Sequence, residues 1–178
     1  NDCGICLLDG KLYYSSFFGY SASQRKRRGL PEKNNGLTAC MDPKTGDVVW
    51  QADLKKLAER KPPTWGFCSS PLVMNSTVIV HAGGSGDKGT LAFDSENGEL
   101  KWSAPSGDHS YSSPQLSTVN GEPSVLMLTN RGIELLDPQT GNLRLNYEWK
   151  HDGYRDLQPQ VVDGDCILLP TGMGSGTR

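Results

Sequence analysis

The sequence predicts an all-β chain assembled from repeated four-stranded antiparallel units, and three observations predict it. Asp42-Pro43-Lys44-Thr45-Gly46-Asp47-Val48-Val49-Trp50 returns as Asp94-Ser95-Glu96-Asn97-Gly98-Glu99-Leu100-Lys101-Trp102. It returns again as Asp137-Pro138-Gln139-Thr140-Gly141-Asn142-Leu143-Arg144-Leu145, with Leu in place of the final Trp. A second block, short and apolar and ending in an Asn or Asp turn, precedes each copy. No stretch sustains the 3.6-residue apolar period of a long helix. Three copies at a period of about 45–50 residues mean an array.

Each element has a local cause. The second block reads Cys68-Ser69-Ser70-Pro71-Leu72-Val73-Met74-Asn75, then Tyr111-Ser112-Ser113-Pro114-Gln115-Leu116, then Asp156-Leu157-Gln158-Pro159-Gln160-Val161-Val162-Asp163-Gly164. Asp2 to Gly10 fits the same frame, with Ile5 where the others have Pro. A second strand follows each block: 11–16, 77–82, 124–129 and 165–169. The third and fourth strands flank the Asp…Gly turn. There Asp bonds backbone two residues on, Pro presets φ, and Gly takes a left-handed φ. Asn120-Gly121-Glu122-Pro123 lengthens one turn. Leu54 to Arg60 is the best helical candidate, ended by Lys61-Pro62-Pro63. Residues 18–36 are an insertion carrying Arg25-Lys26-Arg27-Arg28, read as a solvated loop. The glycine runs at 83–86 and 172–176 lack the following helix of a phosphate cradle and read as turns. Asn75-Ser76-Thr77 matches a glycosylation sequon but coincides with the repeat's own turn.

Composition narrows the function classes. The 178 residues carry a net charge of −2, which implies no global attraction to nucleic acid or membrane. Gly 21 and Pro 11 favour many turns. No apolar run approaches the roughly 18 residues of a membrane span, and no secretory signal is visible. The chain starts at Asn1 without Met, so a leader removed or left out is expected. Cys3, Cys6, Cys40, Cys68 and Cys166 are an odd set, against a purely internal disulfide framework. Cys3-x-x-Cys6 has no second pair to complete a zinc site, so the thiols are expected to be small buried apolar groups. Cys40 aligns with Ala92 and Leu135, and Cys166 with Val78 and Leu12.

Four-stranded units closing on Asp-x-x-x-Gly-x-x-x-Trp resemble the blades of a β-propeller. The repeat is most similar to the quinoprotein (PQQ-like) type, Ala-x-Asp-x-x-Thr-Gly-x-x-x-Trp preceded by Ser-Ser-Pro. Cys40, Asp42, Thr45, Gly46 and Trp50 meet it, as do Ala92, Asp94, Gly98 and Trp102, with Asn97 for Thr. Asp137, Thr140 and Gly141 keep it without the Trp. The resemblance implies one partial propeller over 1–178 of about three and a half blades. They fall at roughly 1–52, 65–104, 110–147 and a half blade at 155–178. It also implies that Trp50 and Trp102 dock between adjacent blades, each worth about 4–6 kcal/mol as an upper bound. Leu145 should weaken one junction unless Tyr147 or Trp149 fills it. Three and a half blades do not close a ring, so the remaining blades of the same protein or a second copy of the chain is the expected partner.

Propeller ligands bind at the mouth of the central channel. By alignment its loops are 64–68, 108–111 and 153–156, contributing Trp65, Asp108, His109, Tyr154, Arg155 and Asp156. Of these Trp65, His109, Arg155 and Asp156 are the candidate binding residues, for a polar, planar or anionic ligand. No catalytic or metal-ligating set is assigned. The resemblance implies a periplasmic or secreted, non-catalytic binding or scaffold domain, similar to the propeller lipoproteins of outer-membrane assembly, with a possible protein partner. The alternative is a fragment of a PQQ-dependent alcohol or sugar dehydrogenase. In that case the family's quinone and calcium would be needed, along with adjacent cysteines and a carboxylate-amide set that this sequence does not show.

Overall fold

The computed structural model describes residues 5–15, 26–27, 36–64, 66–153, 155–163, 165–172 and 174–178. The first sheet contains β1 (Ile5–Leu8), β2 (Lys11–Ser15), β3 (Leu37–Met41) and β4 (Val48–Asp53). Helix α1 (Leu54–Leu57) follows. The second holds β5 (Leu72–Met74), β6 (Thr77–His81), β7 (Thr90–Asp94) and β8 (Leu100–Ala104). The third holds β9 (Gln115–Val119), β10 (Glu122–Thr129), β11 (Gly132–Leu136) and β12 (Leu143–Glu148). A pair, β13 (Gln160–Val162) and β14 (Cys166–Leu168), begins a fourth. Every sheet is an antiparallel meander in chain order, as blades of a partial β-propeller are. Among the described residues no helix is long and apolar enough to cross a membrane.

The turns follow from their residues. Asp9-Gly10, Asn75-Ser76 and Asn120-Gly121 all have positive φ at both positions, the backbone of a type I′ two-residue hairpin. Asn120-Gly121 is therefore no longer than its counterparts. The added residues instead extend β10 back to Glu122, which pairs with Val119. Pro123 is tolerated there because β11 pairs with β10 only from Val125 on. In the Asp…Gly turns, Asp42, Asp94 and Asp137 each accept two backbone N–H groups through Oδ1, the first at 2.7–2.8 Å. Those bonds hold the Asp137 carboxyl down at about 2. A register shift recurs at one station, after Cys40, Ala92 and Leu135. It marks a bulge that sets the aim of the fourth strand.

The core lies between the sheets. Tyr13, Cys40, Trp50, Val78, Val80 and Phe93 fill the first junction, and Ile79, Ala92, Trp102, Val125 and Leu136 the second. Trp50 donates from Nε1 to the Ser95 carbonyl of the next blade at 2.9 Å. A Cβ at Gly98 would come within 2.7 Å of the Trp50 ring, and one at Gly141 within 2.5 Å of Trp102. Each indole thus lies on the left-handed glycine of the following turn, where only a glycine leaves room for a ring.

Several expectations need correction. Cys40 is buried, but Cys6 and Cys68 are half-buried and Cys166 is exposed. Cys166 sits on the β13–β14 pair, which has neither a third strand nor a following sheet among the described residues to cover that face. At the third junction Tyr147 does not replace the missing indole, and half-buried Trp149 fills only part of the gap. Leu145 and Tyr147 stay 47% and 43% exposed along an open cleft of about 370 Å³ with Ile133, Ile167 and Leu169. Trp149 turns inward instead, against the cluster of Leu126, Leu128, Ile133, Leu135 and Leu169. Cys3 and most of the basic insertion lie outside the described residues, where only Lys26, Arg27 and Gly36 are placed.

Candidate functional site

Two kinds of connection meet at one end of the blades: those from the second to the third strand, and those from the fourth strand to the next blade's first. The inner wall is stitched across blades by the Ser-Ser-Pro blocks. Ser70 N–H donates to Ser113 Oγ at 2.8 Å, and Gln158 Nε2 donates to the Ser113 carbonyl at 3.5 Å. Ser70, Ser113 and Gln158 occupy the same place in consecutive blades, so the block serves blade registration. Ser110 Oγ, on the preceding loop, donates to the Leu128 carbonyl at 2.6 Å.

Asn130 ties two connections together. Its Nδ2 donates to Asp108 Oδ1 at 2.7 Å, its Oδ1 accepts from His109 N–H at 3.2 Å, and its carbonyl accepts from His151 N–H at 2.9 Å. Arg60, from the turn after α1, donates through Nη1 to the carbonyls of Gly83 and Asp108. The His109 ring meets Tyr111 edge-on at 4.9 Å. Burial holds the His109 pKa below its ordinary value, against the Asp108 charge and with the Arg60 charge adding to the effect, which favours the neutral imidazole.

Arg155 is 0% exposed. Its guanidinium carbon lies 4.4 Å from the Trp149 ring centroid, and Nη2 donates to the Trp149 carbonyl at 2.7 Å. The Arg155 carbonyl accepts from Tyr111 and Ser112 N–H. Loss of hydration lowers its pKa, and no carboxylate among the described residues pairs with it. The cation expected at the channel mouth therefore serves as a clamp between the third blade and the β13–β14 pair. Asp156 is exposed, and Trp65 and Tyr154 lie outside the described residues. The structure brings Asp108, His109 and the Arg155 backbone onto contiguous loops and leaves the Arg155 side chain facing protein.

Arg60, His81, Asn130 and Glu134 are absent from the sequence-derived set. His81 is buried at the end of β6, with Nε2 2.9 Å from the Gly107 carbonyl. Burial, above all, lowers its pKa to about 4, so it too is neutral. Glu134 is buried on β11, and desolvation raises its pKa to about 7 against the Gly107 N–H and the Arg131 charge. One signal could have found it: Glu134 stands in the repeat where Ala39 and Leu91 stand. Calcium needs six to eight oxygen ligands from closely placed groups. Among the described residues no three His, Cys, Asp or Glu side chains converge, so those residues alone do not make such a site.

No curated protein sequence matches the chain significantly. Among solved structures, BamB from Moraxella catarrhalis is similar at 17% identity and a TM-score of 0.50, over 89% of this chain and 37% of that one. Quinohemoprotein alcohol dehydrogenase from Comamonas testosteroni is similar at 17% identity and a TM-score of 0.55, over 95% of this chain and 32% of that one. These likenesses show the fold, and the chain spans about a third of the length of either structure. Residues 23–168 match the family described as outer membrane protein assembly factor BamB, and the chain belongs to that family of PQQ-like β-propellers.

Proposed function

We propose that the chain is part of a non-catalytic β-propeller that docks a protein partner outside the cytoplasm. The observation that carries this reading is the match to an outer-membrane assembly-factor family across residues 23–168. The loop geometry supports it. Arg60 Nη1, Asn130 Nδ2 and Arg155 Nη2 each donate to a neighbouring segment, which makes a fixed platform. Asp108, Asp156 and Leu157 remain exposed on it. A fixed loop surface suits a macromolecular partner, since little ordering entropy is lost on docking.

The test has two arms. A photo-crosslinking side chain at Asp156, in cells producing the chain, is expected to form adducts with an outer-membrane protein identified by mass. Adducts formed equally well from Val49, on the outer strand of the first blade, would refute docking at the loops. The second arm adds pyrroloquinoline quinone and calcium to the chain, and to any longer polypeptide that contains it. The expected result is no uptake in the near ultraviolet and no dye-linked alcohol oxidation. Saturable uptake with turnover would replace this reading with the dehydrogenase one.

A further inference from the structure

The third strand of each blade carries its own internal comparison. Ala39 pairs with Gln51, Leu91 with Ser103 and Glu134 with Asn146, so the three share one station of the repeat. Ala39 is 0%, Leu91 1% and Glu134 5% exposed. The third blade therefore buries a carboxylate where the others bury hydrocarbon. An ionised carboxylate at such a place is costly unless it meets partners. The Gly107 N–H points to it, and Thr129 Oγ1 is 3.4 and 3.5 Å from its two oxygens.

The carboxylate opens on a cleft of about 250 Å³ between the second and third blades. Beside it lies Ser106, 7% exposed, whose Oγ is buried and has no partner among the described residues. Arg131, Lys150, Glu148 and Asn146, all exposed, form the rim. The cleft thus holds two carboxylates and two cations, with one carboxylate and an unpaired hydroxyl at the floor. A bare cation reaching Glu134 must pass Arg131 and Lys150. A bare anion drawn to those cations meets Glu134 beneath them. A molecule bearing both charges satisfies floor and rim together. The volume is about eight times water's share of roughly 30 Å³, below the range of drug-sized pockets.

We propose that this cleft binds a small amphoteric molecule of amino-acid size. Its ammonium sits on Glu134 and Ser106, and its carboxylate is held by Arg131 and Lys150. Glu148, exposed at the rim, is screened by solvent and opposes the carboxylate weakly. The inference does not rest on the protein-docking role.

The test is a titration of the isotope-labelled chain with L-alanine, methylammonium and acetate, read by backbone amide shifts. L-Alanine is expected to shift Ser106, Gly107 and Glu134 saturably. Methylammonium should act on the same amides at least tenfold more weakly, and acetate not at all. Glu134→Gln should weaken L-alanine binding at least tenfold, and Lys150→Ala severalfold. Glu134→Leu installs the residue that the second blade carries and should keep the folded spectrum while losing the response. No saturable shift with L-alanine, equal binding by acetate or methylammonium, or full binding by folded Glu134→Leu would each overturn the proposal.

Discussion

Replacing Glu134 by Gln takes a charge out of the junction between the second and third blades and leaves its shape and its acceptor for Gly107 N–H. The folded pKa stands near 7 against 4.5 for the free group. Below pH 4.5 folded and unfolded chains are both protonated there, and the contribution to stability is fully present. As pH rises toward 7 the unfolded chain has released a proton that the folded chain still holds, so stability is lost up to the folded pKa and is flat above it. A rise from 4.5 to about 7 is worth about 3 kcal/mol at 1.36 kcal/mol per unit. Glu134→Gln should therefore match the wild type at pH 4.5 and exceed it by about 3 kcal/mol at pH 8, in urea unfolding. In a chain of this size that is a rise in Tm of about 6–12 °C. His81 faces the same Gly107, with its pKa lowered from 6.5 to about 4. Its contribution is present above pH 6.5 and lost as pH falls through 4, opposite in slope to that of Glu134. The two slopes oppose each other in the wild type between pH 4.5 and 6.5, and the variant should keep the histidine slope, to which His109, also lowered, adds in the same sense. A stability difference between variant and wild type that is the same at pH 4.5 and pH 8 would refute the reasoning.

Three further outcomes follow from the junctions. Trp50→Phe should cost about 1 kcal/mol more than Trp102→Phe in denaturant unfolding, because Trp50 Nε1 bonds Ser95 while the buried Trp102 Nε1 has no partner among the described residues. Equal costs would contradict the assignment. Gly98→Ala and Gly141→Ala should each cost about 2–4 kcal/mol, since the methyl adds a ring clash to a backbone penalty of about 1 kcal/mol. Gly46→Ala, with the same left-handed φ and open space around it, should cost only the backbone part, and a comparable Tm drop at all three sites would speak against indole seating. Arg155→Ala should cost about 3 kcal/mol and alter Trp149 fluorescence, because it empties a buried volume and strands the Trp149 carbonyl. An unchanged emission spectrum would argue that the stack does not persist in solution.

The features legible in the sequence were those written more than once. Asp42, Asp94 and Asp137 recur with Gly46, Gly98 and Gly141 because the turn is local chemistry, so its hydrogen bonds need no distant residue. The indole contacts were legible for a related reason: a fixed bulge and a strict alternation aim the fourth strand at the next blade. What the sequence hid was each contact made once. Arg155 reads as a mouth cation because its loop aligns with mouth loops, yet the guanidinium is drawn back over Trp149, a residue outside the recurring motif. Asn130 and Arg60 join loops that no spacing relates.

A repeat array also supplies its own controls, and departures from the repeat carry the information about individual sites. Where Trp50 and Trp102 yield to Leu145, the junction opens into a cleft. Where Ala39 and Leu91 yield to Glu134, a carboxylate enters a position the fold otherwise fills with hydrocarbon. The two departures differ in kind. Leu145 forgoes apolar burial, a loss of packing that an added strand or sheet could restore. Glu134 is buried but replaces hydrocarbon with a carboxylate, at a desolvation cost of about 3 kcal/mol above pH 7, which no amount of added hydrocarbon removes. Hydrogen bonds from Gly107 and Thr129 offset part of that cost without abolishing it, since the pKa stays raised. A ligand ammonium meeting the carboxylate would lower it again. The pH dependence of Glu134→Gln and the L-alanine titration therefore read the same buried charge from two sides. Saturating L-alanine should bring the wild-type unfolding curve at pH 8 closer to that of the variant.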